Sequence, residues 1–271
     1  MPNKITQPVR PEARLAVLWV GHATVLIQID DKFILTDPVF TNTVGQLSKR
    51  LVEPGIEPQN LPPIDAVIIS HMHFDHFSFG SLDLVEKKVA RILVPRGGLV
   101  YMPNYSFPAT ELSRWEHWES NGLQITAVPV KHNGMRYGLD GEWMETTFTG
   151  YVISYHGITV YFGGDTAYVQ KNFVETAEHF PSIDLALMPI APIEPRGFMK
   201  ASHVDPKEAV QAFFDLKARR MVPIHFDTFI NSTDQVGDAT RVLGEVMRER
   251  NIGPDKISVL RIGEQRTIIA R

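Results

Sequence analysis

The apolar residues of this chain come in short runs, and the runs have the length of β-strands. LAVLWV, TVLIQID and KFILTD follow one another near the start, separated by the turn-like GHA and DDK. DAVIIS, RILVP, LQITAVPV, GYVISYHGITVYF (two strands around Tyr155-His156-Gly157-Ile158), IDLALMPI and RMVPIHF continue the series. Runs of four to eight β-branched and aromatic residues bounded by turn formers read as strands. The opening therefore predicts a meander.

Helical patterns are interspersed later. DPKEAVQAFFDLKARR is the best of them: Asp205 is a good N-cap, Pro206 suits the first helical position and Glu208 completes a box-like cap. Ala209, Val210, Phe213 and Leu216 then fall on one apolar side. SLDLVEKKVA, with Ser81 as N-cap, AYVQKNFVETAEHF and DQVGDATRVLGEVMRER read as further helices, and two short strands close the chain. TNTVGQLSKRL suits a short helix, while EPGIEPQNLPP and KHNGMRYGLDGEWMETTF read as loops. This order of elements suits mixed sheets covered by helices, an α+β arrangement. A length of 271 residues fits one large domain or two small ones.

With no cysteine, disulfides, thiolate ligands and a cysteine nucleophile are excluded, so any metal must be held by nitrogen and oxygen. A net charge of -4 carries no basic stripe of the kind that binds nucleic acid. The N-terminus lacks a continuous apolar leader with a cleavage site, and no run has the length of a membrane span. The default expectation is a soluble cytoplasmic protein.

Against this background, SHMHFDHFS at residues 70–78 stands out, with three of the chain's ten histidines directly after a strand of buried type. On an extended backbone His71 and His73 point the same way, and Asp75 and His76 follow where the chain must bend. Four polar side chains buried together would need many partners; imidazole and carboxylate around a cation supply them. Other donors also follow strands directly: His132 in VPVKHNG, Asp165 in VYFGGDTAY and His225 in MVPIHFDT. Loops leaving one edge of packed sheets are where open sites are built.

The order HxHxDH, His, Gly-Gly-Asp, His resembles the metallo-β-lactamase superfamily. WVGHATVLIQIDDKFILTDPVF, SHVDPKEA and VPIHFDTF are similar to the branch of N-acylphosphatidylethanolamine-hydrolysing phospholipase D and its bacterial relatives. The resemblance covers nearly the whole chain. It implies a single domain over 1–271 with the four-layer αββα sandwich fold. It also implies two divalent ions, zinc first with manganese or iron as alternatives. His71, His73 and His132 would hold one ion, Asp75, His76 and His225 the other, and Asp165 both. The best-known β-lactamases of the superfamily use a cysteine ligand, absent here, and the flavin-linked iron branch has glutamate where this chain has His73. Both departures favour the hydrolase branches.

The expected activity is hydrolysis by a hydroxide activated between two ions, first of a phosphodiester, phospholipid-like substrates included. The alternatives are a lactone or ester hydrolase similar to the sugar-phosphate lactonases, and, in another class, an iron-bound redox protein or a metal-binding protein without turnover. Asp75 reads as ligand and as proton acceptor. His203 reads either as a surface loop residue or as a general acid toward the leaving group, a role the phospholipase resemblance supports. Tyr137 and Trp143, with Met135 and Met144, are expected to wall the substrate pocket, and Arg196 to meet an anionic substrate. His22 reads as a support of the site or a turn residue, and His117, His156 and His179 as solvated. The expected partner is a small-molecule or lipid-like substrate; nucleic acid is not expected, and homo-oligomerisation stays open.

Overall fold

A computed structural model describes residues 4–45, 48–137, 140 and 147–271. In chain order the strands are β1 (Ala13–Gly21), β2 (Thr24–Ile29), β3 (Lys32–Thr36), β4 (Thr43–Val44), β5 (Ser48–Lys49) and β6 (Ala66–Ile68). Helix α1 (Phe79–Val85) precedes β7 (Ile92–Pro95), β8 (Ala109–Leu112), β9 (His117–Ser120), β10 (Leu123–Val128), β11 (Gly150–Tyr155) and β12 (Ile158–Phe162). Then come α2 (Gln170–His179), β13 (Leu185–Pro189), α3 (Arg196–Met199), α4 (Pro206–Asp215), β14 (Met221–Ile224), α5 (Asp238–Glu249) and β15 (Gln265–Ala270).

Two mixed sheets carry the fold. Their strand orders are β15-β1-β2-β3-β6-β7-β8 and β14-β13-β12-β11-β10-β9. Side-chain parity explains why the first sheet's strands are apolar throughout. Val17, Trp19, Ile27, Ile34, Ile68 and Leu93 enter the larger core, which joins the two sheets and continues to α2, α4 and α5. Their neighbours Leu18, Leu26, Leu35, Val67 and Val94 enter a second core with Leu82 and Val85 of α1. A strand buried on both faces has no reason to alternate. Helices, two sheets and helices form the four expected layers.

Strand direction places the site. β1 and β3 both run antiparallel to β2, and β6 is parallel to β3, so these three strands end at one edge. β10 and β12 both run antiparallel to β11, and β13 and β14 continue parallel to β12, so their ends share an edge as well. His22, Asp37, His71, His132, Asp165 and His225 all follow one of these ends.

Asp205 caps α4 by accepting from the Glu208 amide at 2.9 Å, but the helix stops at Asp215, where Lys217 takes a positive φ of 51°. Other expectations need correction. TNTVGQLSKRL forms the β4–β5 pair rather than a helix. α1 starts at Phe79, not after Ser81; Ser81 is buried, and its hydroxyl accepts from the Phe40 amide at 2.8 Å. β8 and β9 are short edge strands without an apolar run of their own, and one strand, β15, closes the chain instead of two. His117, on edge strand β9, and His179, which stacks on Trp115 at 4.0 Å, are both exposed, in line with the solvated reading.

Candidate metal centre

Each donor sits where a strand gives out, and several sit on unusual backbone. His22 (φ 54°), Asp37 (φ 33°) and His225 (φ 63°) have left-handed conformations that cost non-glycine residues about 1–3 kcal/mol each. Tight links hold these turns: the His225 amide donates to His22 O at 2.9 Å, and the His22 amide to Thr228 Oγ1 at 2.7 Å. Gly164 (φ 56°) lets the turn before Asp165 pass Ser70, since a Cβ there would lie 2.3 Å from the Ser70 Cβ. On the other side the Thr149 amide donates to Ser70 O at 2.8 Å and the Tyr151 hydroxyl to Ile69 O at 2.9 Å.

The outward nitrogens of five imidazoles fix their tautomers. His132 Nδ1 faces Ser202 O at 2.9 Å, and His225 Nδ1 faces Ala191 O at 3.0 Å. His73 Nε2 faces Asn133 Oδ1 at 2.9 Å, and His76 Nδ1 faces Asp37 Oδ2 at 2.6 Å. The Ser70 hydroxyl donates to Asp37 at 2.5 Å, so its oxygen accepts from His71 Nδ1 at 2.9 Å. Each of these partners is an acceptor, so each outward nitrogen carries the proton and each inward nitrogen presents a lone pair.

Those lone pairs converge. His71 Nε2 lies 2.8 Å from His73 Nδ1, which lies 3.4 Å from His132 Nε2. Tetrahedral donors at about 2.0–2.1 Å from a zinc-like ion stand about 3.3 Å apart. Beside this trio, His76 Nε2 lies 3.3 Å from Asp165 Oδ2 and 3.8 Å from Asp75 Oδ2, and His225 Nε2 lies 3.0 Å from Asp165 Oδ1. Asp165 Oδ2 is also 3.9 Å from His132 Nε2, so this carboxylate reaches both groups. His76 Nε2, His225 Nε2 and Asp165 Oδ1 are buried without a hydrogen bond. Lone pairs and carboxylates facing one another in a buried space repel unless positive charge lies between them. The donor set fits divalent metal.

Electrostatics agree with that fit. Burial and the neighbouring imidazoles push His71 far below the usual imidazole range, and burial pushes His132 down to about 3, so both stay neutral as ligation requires. Burial opposes charge on His76 and on Asp165. Even so, the carboxylates of Asp165, Asp75 and Asp37 hold His76 well above its ordinary value, and His225, His76 and His203 hold Asp165 well below its own. The carboxylates around His76 Nε2 therefore call for positive charge at that point.

Around this center the structure adds residues and moves one. Asp37, Ser70 and Asn133 orient three of the imidazoles, and sequence reasoning did not single them out. Asp37 did carry the shared signal of an acid directly after a strand. His22, read as a support, has Nε2 3.0 Å from Asp75 Oδ2. His203 lies at the mouth, with its buried Nδ1 3.6 Å from Asp165 Oδ2 and without a hydrogen bond at that nitrogen. Burial lowers it to about 4. Arg196, expected to face an anionic substrate, has three nitrogens engaged by the protein. Nη1 donates to His203 O at 2.9 Å, Nη2 pairs with Glu208, and Nε lies 3.4 Å from Asp205. It braces the His203 turn against the start of α4. Tyr137 is 62% exposed on the loop after His132, whereas Trp143 and Met144 fall outside the described residues.

Comparison with known proteins gives a consistent result. The chain is 32% identical over 256 residues to N-acyl-phosphatidylethanolamine-hydrolyzing phospholipase D 1 of Caenorhabditis elegans, covering 88% of this chain and 71% of that protein. It is 30% identical over 214 residues to a metal-dependent hydrolase of Thermococcus onnurineus, covering 79% and 85%. Some curated relatives are longer: the chain spans 60% of an uncharacterized Mycobacterium tuberculosis protein and 48% of a yeast mitochondrial one. Among solved structures, a metallo hydrolase from the archaeon Ignicoccus hospitalis shares the fold at a TM-score of 0.70 and 21% identity, covering 93% of this chain and 97% of that one. The family described as the beta-lactamase superfamily domain matches residues 32–226, across most of the sheet edge just described, and the chain belongs to that superfamily, in its metal-binding form.

Proposed function

We propose that this protein is a metal-dependent hydrolase that cleaves a phosphodiester, with phospholipid-like molecules as the leading substrate class. The observation that carries the reading is the convergence of inward lone pairs from His71, His73, His132, His76 and His225 on the carboxylates of Asp75 and Asp165. Bound divalent ions would supply a water acidified toward neutrality and a Lewis acid for the oxygen of the scissile bond. In this reading His71, His73 and His132 would hold one ion, Asp75, His76 and His225 would hold the other, and Asp165 is placed to serve either.

The chain's own residues perform the rest. Asp75, anchored by His22, holds one carboxylate oxygen in place beside the second donor group. His203 stands at the mouth within reach of Asp165, where an anionic phosphodiester beside it would favour its protonated form and let it give that proton to the leaving oxygen. In this reading exposed Tyr137, on the loop after His132, walls the substrate pocket on that side. The name of the nematode relative favours a phosphodiester over a lactone.

The test is a substrate panel on protein of measured metal content. Release of p-nitrophenol from bis(p-nitrophenyl) phosphate, scaling with bound metal and lost in Asp165→Asn, is expected. Lactone opening without phosphodiester cleavage would replace the substrate class. Metal-loaded protein that turns over neither, or purified protein carrying iron and reducing oxygen, would remove the hydrolase reading.

A further inference from the structure

Arg136 is a cation kept inside the protein, 5% exposed, on the loop that leaves β10 through His132 and Asn133. Its Nη1 donates to Met72 O and to Phe77 O, both at 2.9 Å. Those two carbonyls bracket His73, Asp75 and His76. One nitrogen reaching both holds the two ends of the HMHFDH turn together. The guanidinium lies over Phe79 at 4.1 Å, Phe74 at 4.5 Å and Phe77 at 5.2 Å. Phe74 itself belongs to the turn. Arg136 is fixed in its own loop by its amide, which donates to Asp140 Oδ2 at 3.0 Å, as the Tyr137 amide does to Asp140 Oδ1 at 3.2 Å. Tyr101 also donates to Asp140 and so ties this loop to the segment after β7.

We infer that Arg136 is a positioning residue that sets the distance between His132 and the donors of the 71–76 turn, and with it the affinity and geometry of the metal centre. The inference rests on the ligand assignment proposed above. Its physical basis is that the turn has little structure of its own. His76 and Phe77 donate their amides to His73 O at 3.1 and 2.8 Å, but the carbonyls of Met72 and Phe77 point to Arg136. A planar guanidinium can satisfy two carbonyls and stack on rings at once; a lysine ammonium cannot. Removing the side chain would leave two buried acceptors unpaired and a cavity between aromatic faces, both relieved by letting the turn drift.

The experiment uses Co2+ as a probe, in the full chain, with affinity from chelator competition and geometry from the visible ligand-field spectrum. Arg136→Ala is expected to weaken Co2+ binding by about 10–100-fold and to change the spectrum. Guanidinium at tens of millimolar, far below denaturing levels, is expected to restore both, while equal urea or sodium chloride does not. Arg136→Lys is expected to bind more weakly than wild type with an altered spectrum, and it serves alone if the alanine variant fails to fold. Wild-type affinity and spectrum in both variants would overturn the inference and leave the ligand assignment standing. A weakened alanine variant that guanidinium does not rescue, matched by an unperturbed lysine variant, would also overturn it. Wild-type protein that takes up no Co2+ would remove the ligand assignment instead, and the inference with it.

Discussion

Asp37→Asn tests how much of the metal centre is held from outside it. Three donors converge on this fully buried carboxylate: the Ser70 amide on Oδ1 at 2.6 Å, and the Ser70 hydroxyl and His76 Nδ1 on Oδ2 at 2.5 and 2.6 Å. Asparagine cannot serve all three. With its amide nitrogen at the Oδ1 position it meets the Ser70 N–H donor to donor. With the nitrogen at Oδ2, His76 must move its proton to Nε2, the nitrogen that faces Asp165. Loss of an outer partner of this kind typically costs 10–100-fold in metal affinity, or about 1.4–2.7 kcal/mol. The metal-free fold should also lose about 1–3 kcal/mol for the mismatched buried group, a fall in Tm of several degrees by the usual scaling of roughly 2–4 °C per kcal/mol. Chelator competition and thermal unfolding of metal-free and loaded protein measure the two effects. Wild-type metal affinity in Asp37→Asn would refute the tautomer argument, whatever happened to the Tm.

His203→Ala should retain metal and lower kcat by about 10²–10⁴-fold, the usual contribution of a positioned proton donor; loss of an ion would instead make His203 a ligand. Gly164→Ala should lower both Tm and metal content, because its Cβ would meet the Ser70 Cβ at 2.3 Å on a backbone with φ 56°; an unchanged Tm would show that the turn yields freely. The metal-free protein should lose stability as pH falls from 6.5 toward 5. His132 stays neutral in the fold down to about 3 but takes a proton at about 6.5 when unfolded, so the unfolded state binds more protons in that window. The loss is about 2 kcal/mol for this residue by pH 5. Denaturant unfolding across that range measures it, and a flat profile would contradict the burial argument.

The layers and the donors were legible in the sequence for different reasons. Strand-length apolar runs predicted the sheets because a strand buried on both faces needs no polar alternation, and β1 through β3 and β10 through β14 follow that rule. β8 and β9 escaped because ATEL and HWES are short, polar edge segments whose extended form comes from pairing with β7 and β10. The β4–β5 segment read as helix because two-residue strands leave no periodicity. Arg196 read as a rim cation because its partners Asp205 and Glu208 reveal themselves only once α3 folds back on α4.

By itself the sequence determined that imidazole and carboxylate follow the ends of particular strands, and that no thiolate competes with them. Those are properties of residue type and local order. Tertiary structure alone decided that the ends share one edge, since that depends on which strands run parallel. It also decided which nitrogen of each histidine faces inward, since Asp37, Asn133, Ser202 and Ala191 lie tens of residues from the imidazoles they orient. Hydrogen bonds between distant segments leave no trace in local sequence. They form when the two sheets pack, and packing turns a set of donors into a site.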